Sequence, residues 1–422
     1  MIFASGKLLP DGGRQAVLAG LEAQLDSLRA APPLEAETVI RAVDGLGRRL
    51  EAGEFAPLLA RFLPAGVGLG ELLPLLRRES LEAKLAAELG AGPFRPKEFP
   101  KTTAHILPLG VLFHIAPGNM PGLPVYTVLE GLLTGNVNLV KLPRGDKGLS
   151  LAAFRLLAEQ EPRLAPYIYA FDLPSGRRED MKALADLADG LVAWGGDGAV
   201  EAARALAGPG CKLIEWGHRL SFAYVSGCED REGELAALAA HIIKTGQRLC
   251  SSCQVIFLDT GDWAQGEAFC REFLPLLERA AARRPGLGAG ASASLSGQTA
   301  LLERIVDRKT EGEKLFQGRG CSVILRPGRE LELSPMEGNV LVKLLPQEGL
   351  IPALRRQKGR LQTAGLICAP EKRAALTGLL ARAGVTRVTR AGSLSASFPG
   401  EAHDGEYPLR RYVRVVDVEN NF

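Results

Sequence analysis

Apolar residues recur every three or four positions through much of residues 13–90, as in GRQAVLAGLEAQLDSLRA and SLEAKLAAELG. That period predicts amphipathic helices with one face on a core. From about residue 104 the pattern changes. GVLFHIA (110–116) predicts a buried strand, LPVYTVLEGLLT (123–134) a helix, and NVNLVKL (136–142) a second strand. The alternation continues through SLAAFRLLAEQ (helix), YIYAFDL (strand), EDMKALADLA (helix), GLVAWGG (strand) and GAVEAARALAG (helix), with CKLIEW and SFAYVSG as further strands. Strands alternating with helices call for right-handed crossovers and a mostly parallel, doubly wound sheet. The architecture suits a nucleotide without establishing a function.

A second α/β region begins near residue 230, with the helix REGELAALAAHIIKTG, the strand QVIFLDT, a long helix through AQGEAFCREFLPLLERAAAR, and later strands CSVILR, NVLVKLL and TAGLICAP. The small, Gly-rich stretch 283–298 predicts a surface loop or the entrance to a site. The terminal run YVRVVDV predicts a strand that either returns to the first domain or reaches a partner subunit. The expected division is 1–227, a helical amino-terminal segment with a nucleotide-binding domain to which 395–422 return (or pass to a partner subunit), and 228–394, a second domain.

The 422 residues fit two or three domains, and 51 basic against 48 acidic residues leave a net charge of +3. So small an excess gives no reason to expect nucleic acid or an anionic membrane as partner. No apolar run reaches the length of a membrane span, and the first residues lack the pattern of a secretory leader. Seven cysteines lie scattered at 211, 228, 250, 253, 270, 321 and 368, which favours reduced thiols and a cytoplasmic setting over a disulfide framework.

Three loops carry candidate chemistry. Cys250, in KTGQRLCSSCQVIF, falls in a polar loop between a predicted helix and strand, where a thiol is presented to a cleft beside its own backbone amide. Buried structural cysteine is the ordinary alternative. A redox or zinc C-x-x-C is the other, but no second ligand pair accompanies it. In APGNMPGLP (116–124) the prolines and glycines shape a turn at a strand end that aims the Asn119 amide at a developing negative charge, or leaves Asn119 to cap a helix. In LVKLPRGDKG (139–148), Lys141 and Arg144 suit ribose hydroxyls or a phosphate, against a solvated basic loop. WGGDGAV (194–200) is a Gly-rich strand-to-helix turn, and Glu215 closes an apolar strand as a base or an ion-pair partner.

In that order these elements resemble the aldehyde dehydrogenase superfamily. APGNMP is similar to its P-x-N-x-P segment, whose Asn donates to an oxyanion, and NVNLVKLP to the strand ending in its nucleotide-binding Lys. EWGHR falls at its E-L-G-G-K segment, and GQRLCSSCQVIF at its nucleophile. FHIAPGN, LPVYTVLEGLLTGNVNLVKLP, CSSCQVIF and HDGEYPLRRYVRVVD most resemble the LuxC-type acyl-CoA reductases, the fatty-acid-reductase subunits of bacterial luminescence systems and their non-luminous relatives.

The resemblance implies an α/β, aldehyde-dehydrogenase-like fold with a doubly wound nucleotide-binding domain and a second α/β catalytic domain. It implies a cytoplasmic homo-oligomer that reduces an acyl-CoA to the fatty aldehyde, with an acyl-activating protein as partner. Cys250 is then the nucleophile, Asn119 the oxyanion donor and Glu215 the base. Cofactor contacts fall to Ala116, Pro117, Lys141, Arg144, Trp194, Gly195 and Gly196, and no metal is implied.

Three departures stand out. Val200 occupies the place of the family's second turn glycine, Pro335 that of its ribose-binding Glu (a role not carried to Glu337), and Cys253 that of a proline. Arg144 stands where NAD-specific relatives have an acid, which favours NADPH. The competing readings are a hydrolytic aldehyde dehydrogenase and a non-catalytic subunit that hands on acyl groups. His114 and His218, on or beside apolar strands, read as structural.

Overall fold

The apolar runs that alternate with helices form the central strands of two parallel sheets. They belong to a computed structural model that describes residues 1–63, 69–70, 72–118, 120–228, 230–283 and 312–421. It divides into two units, Met1–Gly217 with Ser397–Phe422, and His218–Ala396.

The first unit opens on a short hairpin, β1 (Ile2–Ala4) and β2 (Lys7–Leu9), followed by helices α1 (Arg14–Ala30), α2 (Ala36–Glu51), α3 (Ala56–Leu59) and α4 (Arg78–Leu89). After the strands β3 (Lys97–Glu98) and β4 (Thr102–Pro108) comes the alternating block. It runs β5 (Val111–Ile115), α5 (Leu123–Leu133), β6 (Val137–Lys141), α6 (Leu149–Gln160), β7 (Ile168–Phe171), α7 (Arg178–Asp186), β8 (Gly190–Trp194), α8 (Asp197–Leu206) and β9 (Lys212–Trp216). The sheet order is β2-β1-β7-β6-β5-β8-β9, parallel from β7 to β9, with β1 antiparallel on β7. The order reverses between β5 and β8, the crevice where doubly wound sheets receive ligands. Burial of both faces explains the unbroken apolar runs: Val111, Leu112, Phe113, Leu139 and Val140 are all fully buried. His114, also fully buried on β5, donates through Nε2 to Asn138 Oδ1 at 3.0 Å. Burial pushes its pKa down to about 4, so this ring is a neutral core group.

The second unit repeats the architecture. Its strands are β10 (Leu220–Ser226), β11 (Cys253–Leu258), β12 (Lys314–Gly318), β13 (Cys321–Leu325), β14 (Asn339–Leu344), β15 (Leu361–Cys368) and β16 (Arg387–Arg390), ordered β12-β13-β14-β11-β10-β15-β16. Among the described residues of this sheet, only β12 runs antiparallel. α9 (Arg231–Thr245) crosses from β10 to β11, and α10 (Trp263–Ala282) follows β11. The sequence SFAYVSG, placed above before a boundary at 227, is β10; it pairs with β11 and β15, so the chain divides ten residues earlier, at 217/218.

The last strand, β17 (Val413–Glu419), pairs antiparallel with β4 along seven residues, so the terminal run returns to the first unit of its own chain. The Gly-rich stretch 283–298 lies outside the described residues apart from Arg283. Among the described residues no helix is long and apolar enough to cross a membrane.

Candidate active site

The sheet register of the first unit collects its candidate residues at one edge. Ile115 on β5 pairs with Lys141 on β6 and with Ala193 on β8, and Ala193 pairs with Glu215 on β9. These four residues form one row at the carboxyl ends of the strands, and the pleat turns them to one face. With strands about 4.8 Å apart, Lys141 and Glu215, three strands removed, stand about 14 Å apart and are not partners.

Lys141 is only 8% exposed, and among the described residues its ammonium makes neither an ion pair nor a hydrogen bond. Burial lowers its pKa, with Asp172 opposing the shift and Arg144 adding to it. The next loop is folded around Asp146, whose carboxylate accepts from the Ser150 amide at 3.0 Å and the Gly148 amide at 3.2 Å, leaving Arg144 exposed on a 3-10 turn. Ala116 and Pro117, at the end of β5, join this edge through the Ala116 amide, which donates to the Lys141 carbonyl at 3.1 Å. Asn119 lies outside the described residues.

Trp194 ends β8. Its ring stacks on Trp216 with centroids 5.4 Å apart, and His403 packs against both rings. Gly195 takes φ +148°, and a Cβ there would lie 2.9 Å from Ala199 Cβ. Gly196 caps α8 with open space beside it, while Asp197 puts a carboxylate in the first turn of that helix. Glu215 points toward α8, where Arg204 binds it through both carboxylate oxygens, Nη2 to Oε2 at 2.7 Å. The ion-pair alternative for Glu215 is thus the arrangement seen.

In the second unit Cys250 sits, half-buried, in the loop that joins α9 to β11. Its carbonyl accepts from Ser221 Oγ at 2.7 Å, and Ser221 Oγ in turn accepts from the Thr363 amide at 3.0 Å, tying the loop to β10 and β15. Ser251 Oγ lies 2.8 Å from Ser395 Oγ. Below the loop is a buried amide network. Gln247, 1% exposed and in the left-handed region at φ +60°, donates through Nε2 to the Cys253 carbonyl at 3.1 Å and to Ser334 Oγ at 2.8 Å. Its Oε1 accepts from the Gly338 amide at 3.1 Å, and its carbonyl accepts from Gln254 Nε2 at 2.8 Å. Gln254 Oε1 takes the Ser334 hydroxyl at 2.9 Å. The segment SPMEGNV therefore braces the loop: Met336, Glu337 and Gly338 run consecutively at positive φ, and Glu337 pairs with Arg248 at 2.5 Å. Sequence reasoning missed Ser221, Gln247, Gln254 and Ser334.

Three residues on, Cys253 is a different group. It is fully buried in the core, and burial pushes its thiol up to about 12. Among the described residues no cluster of His, Cys, Asp and Glu is arranged to hold a metal, and none of the seven cysteines is joined in a disulfide.

The fold is that of the aldehyde dehydrogenases. The crystal structure of methylmalonate-semialdehyde dehydrogenase from Oceanimonas doudoroffii matches with a TM-score of 0.74 at 13% identity, covering 99% of this chain and 97% of that one. Aldehyde dehydrogenase 21 from Physcomitrella patens, in complex with succinate, matches at 0.71 and 15%, over 97% and 90%. Within that fold the chain belongs to the acyl-CoA reductase (LuxC) family, whose profile matches residues 55–415. A long-chain acyl-protein thioester reductase of Aliivibrio fischeri is 26% identical over 329 residues, 75% of this chain and 65% of that protein. The corresponding protein of Vibrio harveyi is 22% identical over 358 residues, 82% of this chain and 72% of that one. This chain thus spans just under two thirds of the length of the Aliivibrio relative.

Proposed function

We propose that the protein reduces a long-chain acyl thioester to the aldehyde through a thioester on Cys250, with acyl-CoA as donor. The observation that carries this reading is the half-exposed Cys250 thiol on a loop held from beneath by buried side chains, beside a Cys253 that burial keeps protonated. The names of the relatives, long-chain acyl-protein thioester reductases, support the same chemistry.

In this mechanism the Cys250 thiolate attacks the acyl carbon. A C–S bond to Cys250 forms, the C–S bond to the donor breaks, and the donor thiol leaves with a proton. The Cys250 backbone N–H and the Asn119 amide are assigned to the oxyanion. A nicotinamide cofactor, when bound, supplies the hydride that converts the acyl group to the aldehyde oxidation level. Cys250 then departs as thiolate when the carbonyl re-forms, releasing aldehyde.

The residues at the first unit's strand ends suit such a cofactor. Lys141 is a nearly buried cation without a partner among the described residues, and the exposed Arg144 adds a second positive charge. Together they favour a 2′-phosphate, hence NADPH. Ala116, Pro117, Trp194, Gly195 and Gly196 complete the proposed contact set; the Trp194 indole N–H is buried without a partner among the described residues. The Arg204 ion pair favours reduction over hydrolysis, because it engages both Glu215 carboxylate oxygens that would otherwise orient a water. The same reading has the protein working in the cytoplasm as a homo-oligomer supplied by an acyl-activating protein.

The test is intact-protein mass spectrometry after mixing with acyl-CoAs in the absence of nucleotide. The expected result is an acyl adduct that vanishes in Cys250→Ala, persists in Cys253→Ala, and is discharged as aldehyde on adding NADPH. No adduct, together with nucleotide-dependent oxidation of free aldehydes to acids, overturns it.

A further inference from the structure

We infer that the hydrocarbon chain of the acyl group lies in an apolar pocket within the first unit, beneath its amino-terminal helices; the inference rests on the thioester-reductase reading above. The pocket is bounded by α2, the α3 region, Leu69, residues 72–76 and the faces of α5 and α6 that carry Val125, Tyr126, Ala152 and Ala153. With its open mouth it takes in about 800 Å³ of atom-free space, part of it open to solvent. Its walls are carbon: Leu46, Phe62, Leu72, Val125 and Ala153 are representative. Tyr126 contributes its ring, while its hydroxyl is buried near Lys84 and Glu130. A nucleotide, a sugar or the polar part of CoA would forfeit its hydrogen bonds to water against such a wall, whereas an alkyl chain gains by entering.

Location argues for an acyl chain. The lining includes Gly122, the residue that precedes α5 at the end of the loop from β5. Gly122 takes φ +81°, and a Cβ there would stand 2.8 Å from Leu72 Cδ1, so glycine is what lets α5 begin this close to Leu72. Leu149, the first residue of α6, lies at the same strand-end edge. An alkyl chain that enters at this strand-end edge can therefore run along α5 and α6. On α6 the half-buried Ala152 and Ala153 form part of the wall where longer side chains would take up the space.

Each methylene that enters such a pocket raises affinity about fourfold. The full-length protein and the variants Ala153→Phe and Ala153→Leu should be compared with hexanoyl-, decanoyl- and tetradecanoyl-CoA. The expected outcome is a wild-type kcat/KM that climbs with chain length and a tetradecanoyl-to-hexanoyl ratio at least about tenfold lower in Ala153→Phe, with Ala153→Leu between. Circular dichroism and the unfolding midpoint verify folding, and the graded leucine variant keeps the test open should phenylalanine disrupt it. In parallel, binding of tetradecanoic acid to Cys250→Ala protein, followed by displacement of a fluorescent fatty acid without nucleotide, reads the pocket independently of chemistry. Weaker binding in the Ala153→Phe background supports the pocket even if no acyl-enzyme forms, which isolates failure of the reductase reading. An acyl-enzyme that forms normally with an unchanged chain-length ratio and unchanged fatty-acid binding in both variants overturns the inference.

Discussion

Replacing Gln247 by alanine removes the side chain that locks the Cys250 loop. Two donor bonds from Nε2, to the Cys253 carbonyl at 3.1 Å and Ser334 Oγ at 2.8 Å, and one acceptor bond from the Gly338 amide at 3.1 Å all depend on it. Ser334 keeps Gln254 as a partner, but the Gly338 N–H is left unpaired in the interior. An orphaned buried donor costs about 1–3 kcal/mol, and each lost neutral bond about 1 kcal/mol. A loss of about 2–4 kcal/mol in the unit of residues 218–396 follows, or roughly 5–10 °C in its unfolding midpoint. Catalysis should suffer separately. A shift of about 1 Å in a nucleophile costs up to about a hundredfold in rate. We expect acylation of Cys250 by acyl-CoA to slow by about ten- to a hundredfold while its alkylation by iodoacetamide, which requires no aligned carbonyl, changes by less than about threefold. The assay is intact mass against time for both reagents, at a temperature where the variant is fully folded. Paired with Ser334→Ala in a double-mutant cycle, the coupling should be about 1 kcal/mol. Wild-type acylation rates in a destabilised Gln247→Ala protein would refute the positioning role, and unchanged stability would refute the network.

Two further outcomes follow from the first unit. His114 is held neutral by burial with a pKa near 4 against 6.5 in an unfolded chain. Its contribution is complete above about pH 6.5 and is lost as pH falls toward 4, by about 2 kcal/mol between pH 7 and pH 5. Urea unfolding at both pH values should therefore give a steeper pH slope for wild type than for His114→Gln, and equal slopes would sink the assignment. Arg144→Glu should lower kcat/KM for NADPH about tenfold or more while leaving NADH much less affected; an unchanged preference in steady-state kinetics would remove Arg144 from the cofactor site.

What was legible in the sequence follows from burial. VLFHI and NLVK read as strands because parallel sheets hide both faces, so no polar position interrupts the run. β1 and β2 went unread: each is three residues long, too short to express any period, and β1 is a strand only because β7 offers it an edge. β4 is half-exposed along all seven residues, and its pairing with β17 joins positions more than 300 residues apart. The Glu215 ion pair was equally hidden. Arg204 is eleven residues away, outside any helical spacing, and only the return from α8 into β9 brings the two together.

The Cys250 loop divides along the same line. Its thiol is visible in a local window, since small polar residues between a helix and a strand mark an exposed turn. Its rigidity is not, because Ser334 and Gly338 lie 87 and 91 residues from Gln247, and Ser221 lies 29 residues before Cys250. Nor does the motif separate Cys250 from Cys253; alternation does, because β11 begins at Cys253 and turns that side chain into the core. A motif names a candidate group, but the contacts that hold the loop carrying it come from strands distant in sequence. Substitutions at Gln247 and Ser334 therefore probe how the Cys250 loop is positioned, which substituting Cys250 itself cannot do.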